Sequence, residues 1–112
     1  QTLDELSDEL ARSTCLAALA GSRLVGAVRT RERDGVLHVG RLAVVPDLQG
    51  HGIGTRLLLA AERTTPLARA TLFTGARSTA NLRLYRRHGY VDAHRETVRP
   101  GLELVHLVKE LR

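Results

Sequence analysis

The residues best suited to chemistry lie in the glycine-rich segment 48–55, which reads LQGHGIGT. An apolar stretch precedes this segment and a helix-forming run follows it, so the pattern predicts a strand, a glycine turn and a helix. Gly50, Gly52 and Gly54 let the backbone approach a ligand without obstruction by a Cβ atom. The first amides of a helix have no intrahelical acceptor, and the helix dipole adds roughly half a positive charge there. The segment therefore predicts an anion site, and phosphate is the expected anion.

Two well-known phosphate loops do not fit this spacing. The dinucleotide-binding fingerprint requires glycine at its first, third and sixth positions, and the sixth residue counted from Gly50 is Thr55. The P-loop of nucleotide triphosphatases requires Gly-Lys before a serine or threonine, whereas Ile-Gly precedes Thr55. Both kinds of nucleotide site are excluded.

The spacing that does fit is Gln49-x-x-Gly52-x-Gly54. It resembles the pyrophosphate-binding motif of the GNAT family of N-acetyltransferases, which transfer the acetyl group of acetyl-CoA to amines. The resemblance implies that the anion is the diphosphate of acetyl-CoA, a co-substrate, and that the acyl-CoA arm is bonded to the backbone of the preceding strand near Val44.

A second segment, residues 78–90, is similar to another signature of the same family. It places Asn81 four residues before Tyr85 in a helical pattern that ends at Gly89 and Tyr90. A serine and a threonine precede this pattern and can cap the helix, and Gly89 suits the left-handed conformation after a helix. The resemblance implies that Asn81 holds the pantetheine arm or an ordered water, and that Tyr85 protonates the departing CoA thiolate.

The two motifs together imply one catalytic residue and a set of residues that bind acetyl-CoA. The catalytic residue is Tyr85, and the residues implied in acetyl-CoA binding are Val44, Gln49, Gly50, His51, Gly52, Ile53, Gly54, Thr55 and Asn81. His51 and Arg56 flank the loop, and each of them either contacts a phosphate or points to water. The pair Arg86-Arg87 either meets the ribose phosphate or forms the solvated side of its helix.

The general base is left open by the sequence. Many family members carry a glutamate on the strand before the glycine loop, where this chain reads HVGR at 38–41. His38 has a suitable intrinsic pKa, although a lone histidine on a strand is commonly structural. Glu32, Glu103 and His106 are weaker candidates, and a water chain could also serve. The histidines form no pair at metal-ligand spacing with each other or with Cys15, so no metal is expected.

Composition restricts the class of partner. A chain of 112 residues with 43% hydrophobic content predicts one domain, 1–112. The net charge of +5 would attract CoA or a nucleic acid. Only three residues are aromatic, Phe73, Tyr85 and Tyr90, which leaves little for base stacking. The expected substrate is therefore a small-molecule or peptide amine, without a nucleic acid partner, and the expected state is a monomer or a homodimer.

The chain shows no long apolar run and no signal sequence, so neither a membrane partner nor secretion is expected. A single cysteine agrees with a reducing cytoplasm. Because methionine is absent and the family fold usually has a further strand and helix before this point, we expect the N-terminal region to be incomplete.

The periodicity predicts the elements that must position the site. An amphipathic helix is predicted over Leu3–Arg12, strands over 14–20, 23–31, 36–45, 70–75, 90–98 and 102–109, and helices over Ile53–Arg63 and around Asn81. Asp34-Gly35 predicts a hairpin turn, and Pro100-Gly101 predicts another turn. This order matches the α/β fold of the GNAT family, a mixed and mostly antiparallel sheet with flanking helices. In that fold, the strands before and after the loop helix run parallel and splay apart.

The sequence is therefore interpreted as an acyl-CoA-dependent N-acetyltransferase that moves an acetyl group to an amine by direct transfer. The alternative is a non-catalytic acyl-CoA-binding sensor or structural domain of the same fold. The residues leave the acceptor open among an aminoglycoside, a polyamine, a free amino acid and a protein N-terminus.

Overall fold

The fold is given by a computed structural model that describes residues 13–112. The predicted helix Leu3–Arg12 lies outside the described residues. The strands are β1 (Ser13–Ala20), β2 (Arg23–Arg33), β3 (Val36–Val44), β4 (Arg69–Gly75), β5 (Val91–Arg99) and β6 (Leu102–Glu110), and the α-helices are α1 (Ile53–Arg63) and α2 (Thr79–Arg87). Each predicted element within residues 13–112 is present, with bounds that agree to within two residues. Within residues 13–112, neither α1 nor α2 is long and apolar enough to cross a membrane.

The strands form one mixed sheet in the order β1-β2-β3-β4-β6-β5. Only β3 and β4 are parallel, because α1 crosses over between them, and every other neighbouring pair is antiparallel. The parallel pairing is limited to two positions, Leu37 with Ala70 and His38 with Thr71. Beyond these positions the two strands separate toward their C-terminal ends, which confirms the predicted splay.

The hairpin between β2 and β3 sets the register of the strand that enters the site. Asp34 and Gly35 have φ values of 53° and 76°, as a type I′ turn requires at its two central positions. The turn pairs Arg33 with Val36 and confirms the hairpin predicted from the Asp-Gly pair. The register then fixes which residues of β3 reach the splay.

The core lies between one face of the sheet and the two helices. Helix α1 contributes Leu57, Leu58 and Ala61, and α2 contributes Leu82 and Tyr85. The strands present alternate residues to these helices; the buried strand residues of the cluster are Val28, Leu37, Val39, Ala70, Leu72, Val105 and Leu107. The intervening strand residues lie on the opposite side of the sheet, which we call the far face. The helices therefore cover one face of the splay.

A polar network fixes α1 against the sheet. Glu62 of α1 accepts hydrogen bonds from the Tyr90 hydroxyl at 3.0 Å and from the Lys109 ammonium at 2.8 Å. Burial and the Glu62 carboxylate raise the pKa of Tyr90, so its hydroxyl stays protonated and donates. The network joins the last turn of α1 to Lys109 of the sheet and so fixes the end of this helix opposite the glycine loop.

Candidate functional site

The glycine loop ends in a helix N-terminus that has backbone donors to offer. Gly50 and Gly52 adopt left-handed φ values of 85° and 83°, and Gly52 caps α1 without any side-chain hydrogen bond. The first backbone hydrogen bond of the helix runs from the Arg56 amide to the Gly52 carbonyl at 3.1 Å. The three amides before Arg56 therefore have no intrahelical acceptor. These amides and the helix dipole are suited to bind an anion, so the anion site stays a prediction that this geometry supports.

A cavity of about 660 Å³ opens where this loop meets β3 and α2. Its lining is Leu42, Ala43, Val44, Leu48, Gln49, Gly50, Gly52, Ile53, Gly54, Thr55, Ala80, Asn81, Leu84 and Arg87. The tertiary structure thus brings together eight of the nine residues that the motifs imply in acetyl-CoA binding. His51 is the exception, because it is exposed and does not line the cavity, so its role stays a prediction.

The wall formed by β3 carries free backbone groups. The register steps from Ala27 opposite Ala43 to Arg29 opposite Gly40, so β3 has one extra residue within 40–43. Such a bulge disrupts the ladder locally, and the splay removes the partner strand on the other edge. Backbone amides and carbonyls of this stretch are therefore able to bond an extended ligand.

Gln49 has a more specific place than the motif suggested. Its side-chain amide donates a hydrogen bond to the carbonyl of Val44 at 3.1 Å, which joins the loop to the end of β3. This contact orders the loop, and it leaves the anion to the backbone amides.

One side of α2 completes the cavity. Ala80, Asn81, Leu84 and Arg87 recur at helical spacing and face the cavity. The Asn81 amide also donates to the Thr74 hydroxyl at 3.4 Å. The sequence analysis missed Ala80 and Leu84, although their spacing of four marks a common side of the helix.

The two adjacent arginines near the end of α2 have different partners. Arg86 forms a double hydrogen bond with the Asp92 carboxylate, at 2.9 and 2.6 Å. Arg87 instead lines the cavity. Arg86 is therefore the arginine that is paired at the surface of the helix. Arg87 is the arginine that lies at the cavity, and its contact with a phosphate stays a prediction. Arg56 is exposed and does not line the cavity.

Gly54 allows the two helices to approach each other. A Cβ atom at this position would lie 3.4 Å from a terminal methyl carbon of Leu84 and 3.9 Å from one of Val44. Close by, the Thr55 hydroxyl lies 3.3 Å from the Nε2 atom of His88. These contacts fix α1 against α2 and keep the cavity narrow at the helix N-terminus.

Tyr85 differs from the expected position. Its ring is 6% exposed and packs in the core, edge-on to Tyr90 at 6.1 Å between centroids, and it does not line the cavity. Residues four apart on a helix are offset by about 40°, which is enough to place Asn81 at the cavity and the Tyr85 ring in the core.

The hydroxyl of Tyr85 nevertheless suits a proton donor. It forms no hydrogen bond within residues 13–112, and it is not among the polar atoms there that are sealed from solvent. Burial raises the pKa of Tyr85, so the hydroxyl keeps its proton at neutral pH. Its catalytic role stays a prediction.

The base candidates occupy different surroundings. His38 lies on the far face at the point where β3 and β4 separate, and burial lowers its pKa, with Arg33 and Arg31 contributing. Glu32 accepts a hydrogen bond from Thr65 at 3.0 Å, remote from the cavity lining. No group of three or more histidine, cysteine, aspartate or glutamate side chains within residues 13–112 is placed to hold a metal ion.

The two remaining candidates, Glu103 and His106, are both paired. Glu103 accepts a hydrogen bond from Arg95 at 2.6 Å. His106 lies 2.9 Å from the carboxylate of Glu96, measured from its Nε2 atom. The hydrogen bond occupies one carboxylate oxygen of Glu103, whereas a histidine bonded through one ring nitrogen keeps the other nitrogen free.

Solved structures with the same fold are numerous. An acetyltransferase from Bacillus subtilis in complex with CoA is 24% identical, with a TM-score of 0.80, and the match covers 100% of this chain and 95% of that one. The IAA acetyltransferase from Bacillus cereus is 22% identical, with a TM-score of 0.81 and coverage of 97% and 85%. The ribosomal-protein-S18-alanine N-acetyltransferase from Escherichia coli is 19% identical, with a TM-score of 0.79 and coverage of 96% and 75%.

A search of curated proteins found no match. The model of the acetyltransferase (GNAT) domain family, however, matches residues 2–111, which is nearly the whole chain. This match agrees with three features of the fold: the splayed parallel strands β3 and β4, the helix α1 that follows the glycine loop without a side-chain cap, and the cavity between them. The chain belongs to the GNAT acetyltransferase family.

Proposed function

We propose that this protein transfers an acetyl group from acetyl-CoA to a primary amine by direct attack. The observation that carries the proposal is the cleft that joins the N-terminus of α1, which has no side-chain cap, to the unpaired edge of β3. The diphosphate would be held by the loop and helix amides, and the pantetheine arm would extend along β3 into the splay. A chain charge of +5 favours such a polyanion.

The transfer itself needs few groups from the protein. The amine nitrogen attacks the thioester carbonyl carbon, a C–N bond forms, and the C–S bond breaks. A free backbone amide near the bulge of β3 would polarise the carbonyl oxygen. The Tyr85 hydroxyl would donate a proton to the thiolate, and it would regain a proton from the nitrogen that has become an amide. Asn81 would orient the arm at the cavity wall.

The acceptor is proposed only as a class. One structural neighbour acts on the alanine of a ribosomal protein, and another is a nourseothricin acetyltransferase, so proteins of this fold include enzymes named for a peptide and for a small molecule. We accordingly propose a small-molecule or peptide amine. With a single cysteine, Cys15, which is exposed on β1, the protein suits a reducing cytoplasm.

The proposal is tested by measuring free thiol. Purified protein is incubated with acetyl-CoA and, separately, with an aminoglycoside, a polyamine, free amino acids and short peptides with a free N-terminus. Thiol release that depends on one of these amines supports the enzyme. Calorimetric binding of CoA without turnover on any amine would contradict the enzyme and support the sensor. Failure to bind CoA would contradict both.

A further inference from the structure

A row of side chains on the far face crosses the sheet at the mouth of the splay. The registers place Phe73 of β4 beside His106 of β6, and His106 beside His94 of β5. The parallel register of β3 and β4, continued two residues past its last pair, places Gly40 of β3 opposite Phe73. The row therefore borders the splay on its β4 side.

The far face is the side from which an acceptor can reach the splay, because α1 and α2 pack on the other face. Gly40 leaves this approach clear. A Cβ atom at that position would meet only the Arg29 carbonyl oxygen, at 4.0 Å. Gly40 of β3 also has no side chain that could accept a proton. A proton acceptor on the far face must then come from another residue of β3, such as His38, or from the neighbouring strands.

Of the two histidines in the row, His106 has contacts on three sides. The His106 ring lies 5.4 Å from the Phe73 ring and stacks on the His94 ring, with centroids 4.2 Å apart and an interplanar angle of 10°. Its Nε2 atom lies 2.9 Å from an oxygen of Glu96. A carboxylate only accepts hydrogen bonds, so Nε2 carries the proton and Nδ1 of the neutral ring has a free lone pair.

We propose that His106 is the general base of this enzyme and that Glu96 is its positioning residue. The inference rests on the proposed function. In the step, Nδ1 of His106 accepts one proton from the acceptor ammonium, directly or through one water. The neutral amine then attacks the thioester carbonyl carbon, and the thiolate leaves with the proton supplied by Tyr85. The charged imidazole that results is paired with the Glu96 carboxylate, which stabilises it.

The alternative base, His38, lies on the same face but among positive charges. Burial lowers the pKa of His38, and Arg33 and Arg31 lower it further, while Asp34 acts in the opposite direction. The two arginines would also repel an approaching ammonium. His106 contacts two titratable groups of β5, Glu96 and His94, and the Phe73 ring of β4. A carboxylate beside the base attracts the cationic form of the acceptor. The charge distribution therefore favours His106.

The test compares His106→Gln with Glu96→Gln and His38→Gln, using the acceptor amine found in the thiol assay. His106→Gln keeps a side-chain N–H for Glu96 but has no basic nitrogen. We expect its kcat/KM at neutral pH to fall by roughly 10²-fold, with unchanged CoA affinity. The loss should shrink as the pH approaches the pKa of the acceptor amine, because the acceptor then loses its proton without help. Glu96→Gln should cause a smaller loss, and His38→Gln should retain the parental pH profile.

The outcomes separate this inference from the proposed function. A parent protein without turnover on any amine contradicts the proposed function and this inference with it. An active parent with an equally active His106→Gln variant contradicts only the inference. A loss in His106→Gln that stays constant at all pH values shows a structural role and also overturns it. Removal of the acidic limb of the profile by His38→Gln would identify His38 as the base instead.

Discussion

Replacement of Gly52 by alanine tests whether backbone amides form the anion site. Gly52 has φ of 83° and caps α1, and a Cβ atom built on it meets no protein atom within 4 Å. The fold therefore has room for the methyl group. The substitution should lower the free energy of unfolding by about 1 kcal/mol, because alanine disfavours the left-handed backbone conformation of this position. In a domain of 112 residues, such a cost corresponds to a Tm lower by about 4 °C.

The effect on binding should be larger, because Gly52 lines the cavity. A methyl group there holds the diphosphate back from the amides, and one hydrogen bond to a charged group contributes about 1.5–3 kcal/mol. The loss of one such bond raises the Kd for CoA by between about tenfold and a hundredfold. Calorimetric titration with CoA and thermal unfolding measure the two effects separately.

Gly101→Ala is the matched control. Gly101 has φ of 85°, also has nothing within 4 Å of its built Cβ atom, and lies in the β5–β6 turn outside the cavity lining. It should show the same loss in Tm as Gly52→Ala and bind CoA with parental affinity. Equal CoA affinity in the parent, Gly52→Ala and Gly101→Ala would refute an anion site made of the loop amides.

Four further results are expected. Tyr85→Phe should bind CoA like the parent, keep its Tm, and turn over roughly 10²-fold more slowly, because only a proton donor is removed; an unchanged kcat on the identified acceptor would assign protonation to water. Arg87→Ala should raise the Kd for CoA by about fivefold (about 1 kcal/mol) in low salt, whereas Arg86→Ala should not, since Arg86 is paired with a carboxylate; equal effects would contradict the division of this pair. Glu62→Gln should lower the free energy of unfolding by about 1–3 kcal/mol in denaturant titration, because the partly buried Lys109 ammonium loses its counter-charge, and unchanged stability would show that the network contributes nothing. An oligonucleotide should bind weakly and lose affinity steeply with salt, and sub-micromolar binding at physiological salt would contradict a small polyanion as the partner.

The local elements followed from the sequence because their determinants are local. Alternating apolar residues marked the strands, and the Asp34-Gly35 pair marked a turn whose positive φ values few other residues adopt. The α1 start was marked by Gly52, and the glycine-loop spacing marked a backbone anion site. The predicted helix bounds Ile53–Arg63 agree with the structure at both ends.

The sequence did not separate neighbouring residues of the same type. Arg86 and Arg87 are equivalent by pattern, and only the position of Asp92 on β5 decides which of them is paired. Tyr85 was expected at the cavity, but the packing of α2 on the sheet turned its ring into the core. Helical periodicity gives relative directions around an axis, and tertiary packing decides which direction faces the ligand.

The sequence by itself determined the order of elements and the glycine-loop motif, and it predicted phosphate as the anion, because each depends on residues close together in the chain. The tertiary structure alone decided what meets across the sheet. Phe73, His94 and His106 are far apart in sequence and form one row only through the registers of β4, β5 and β6. Strand pairing sums small contributions from many distant residues, so no short segment encodes it.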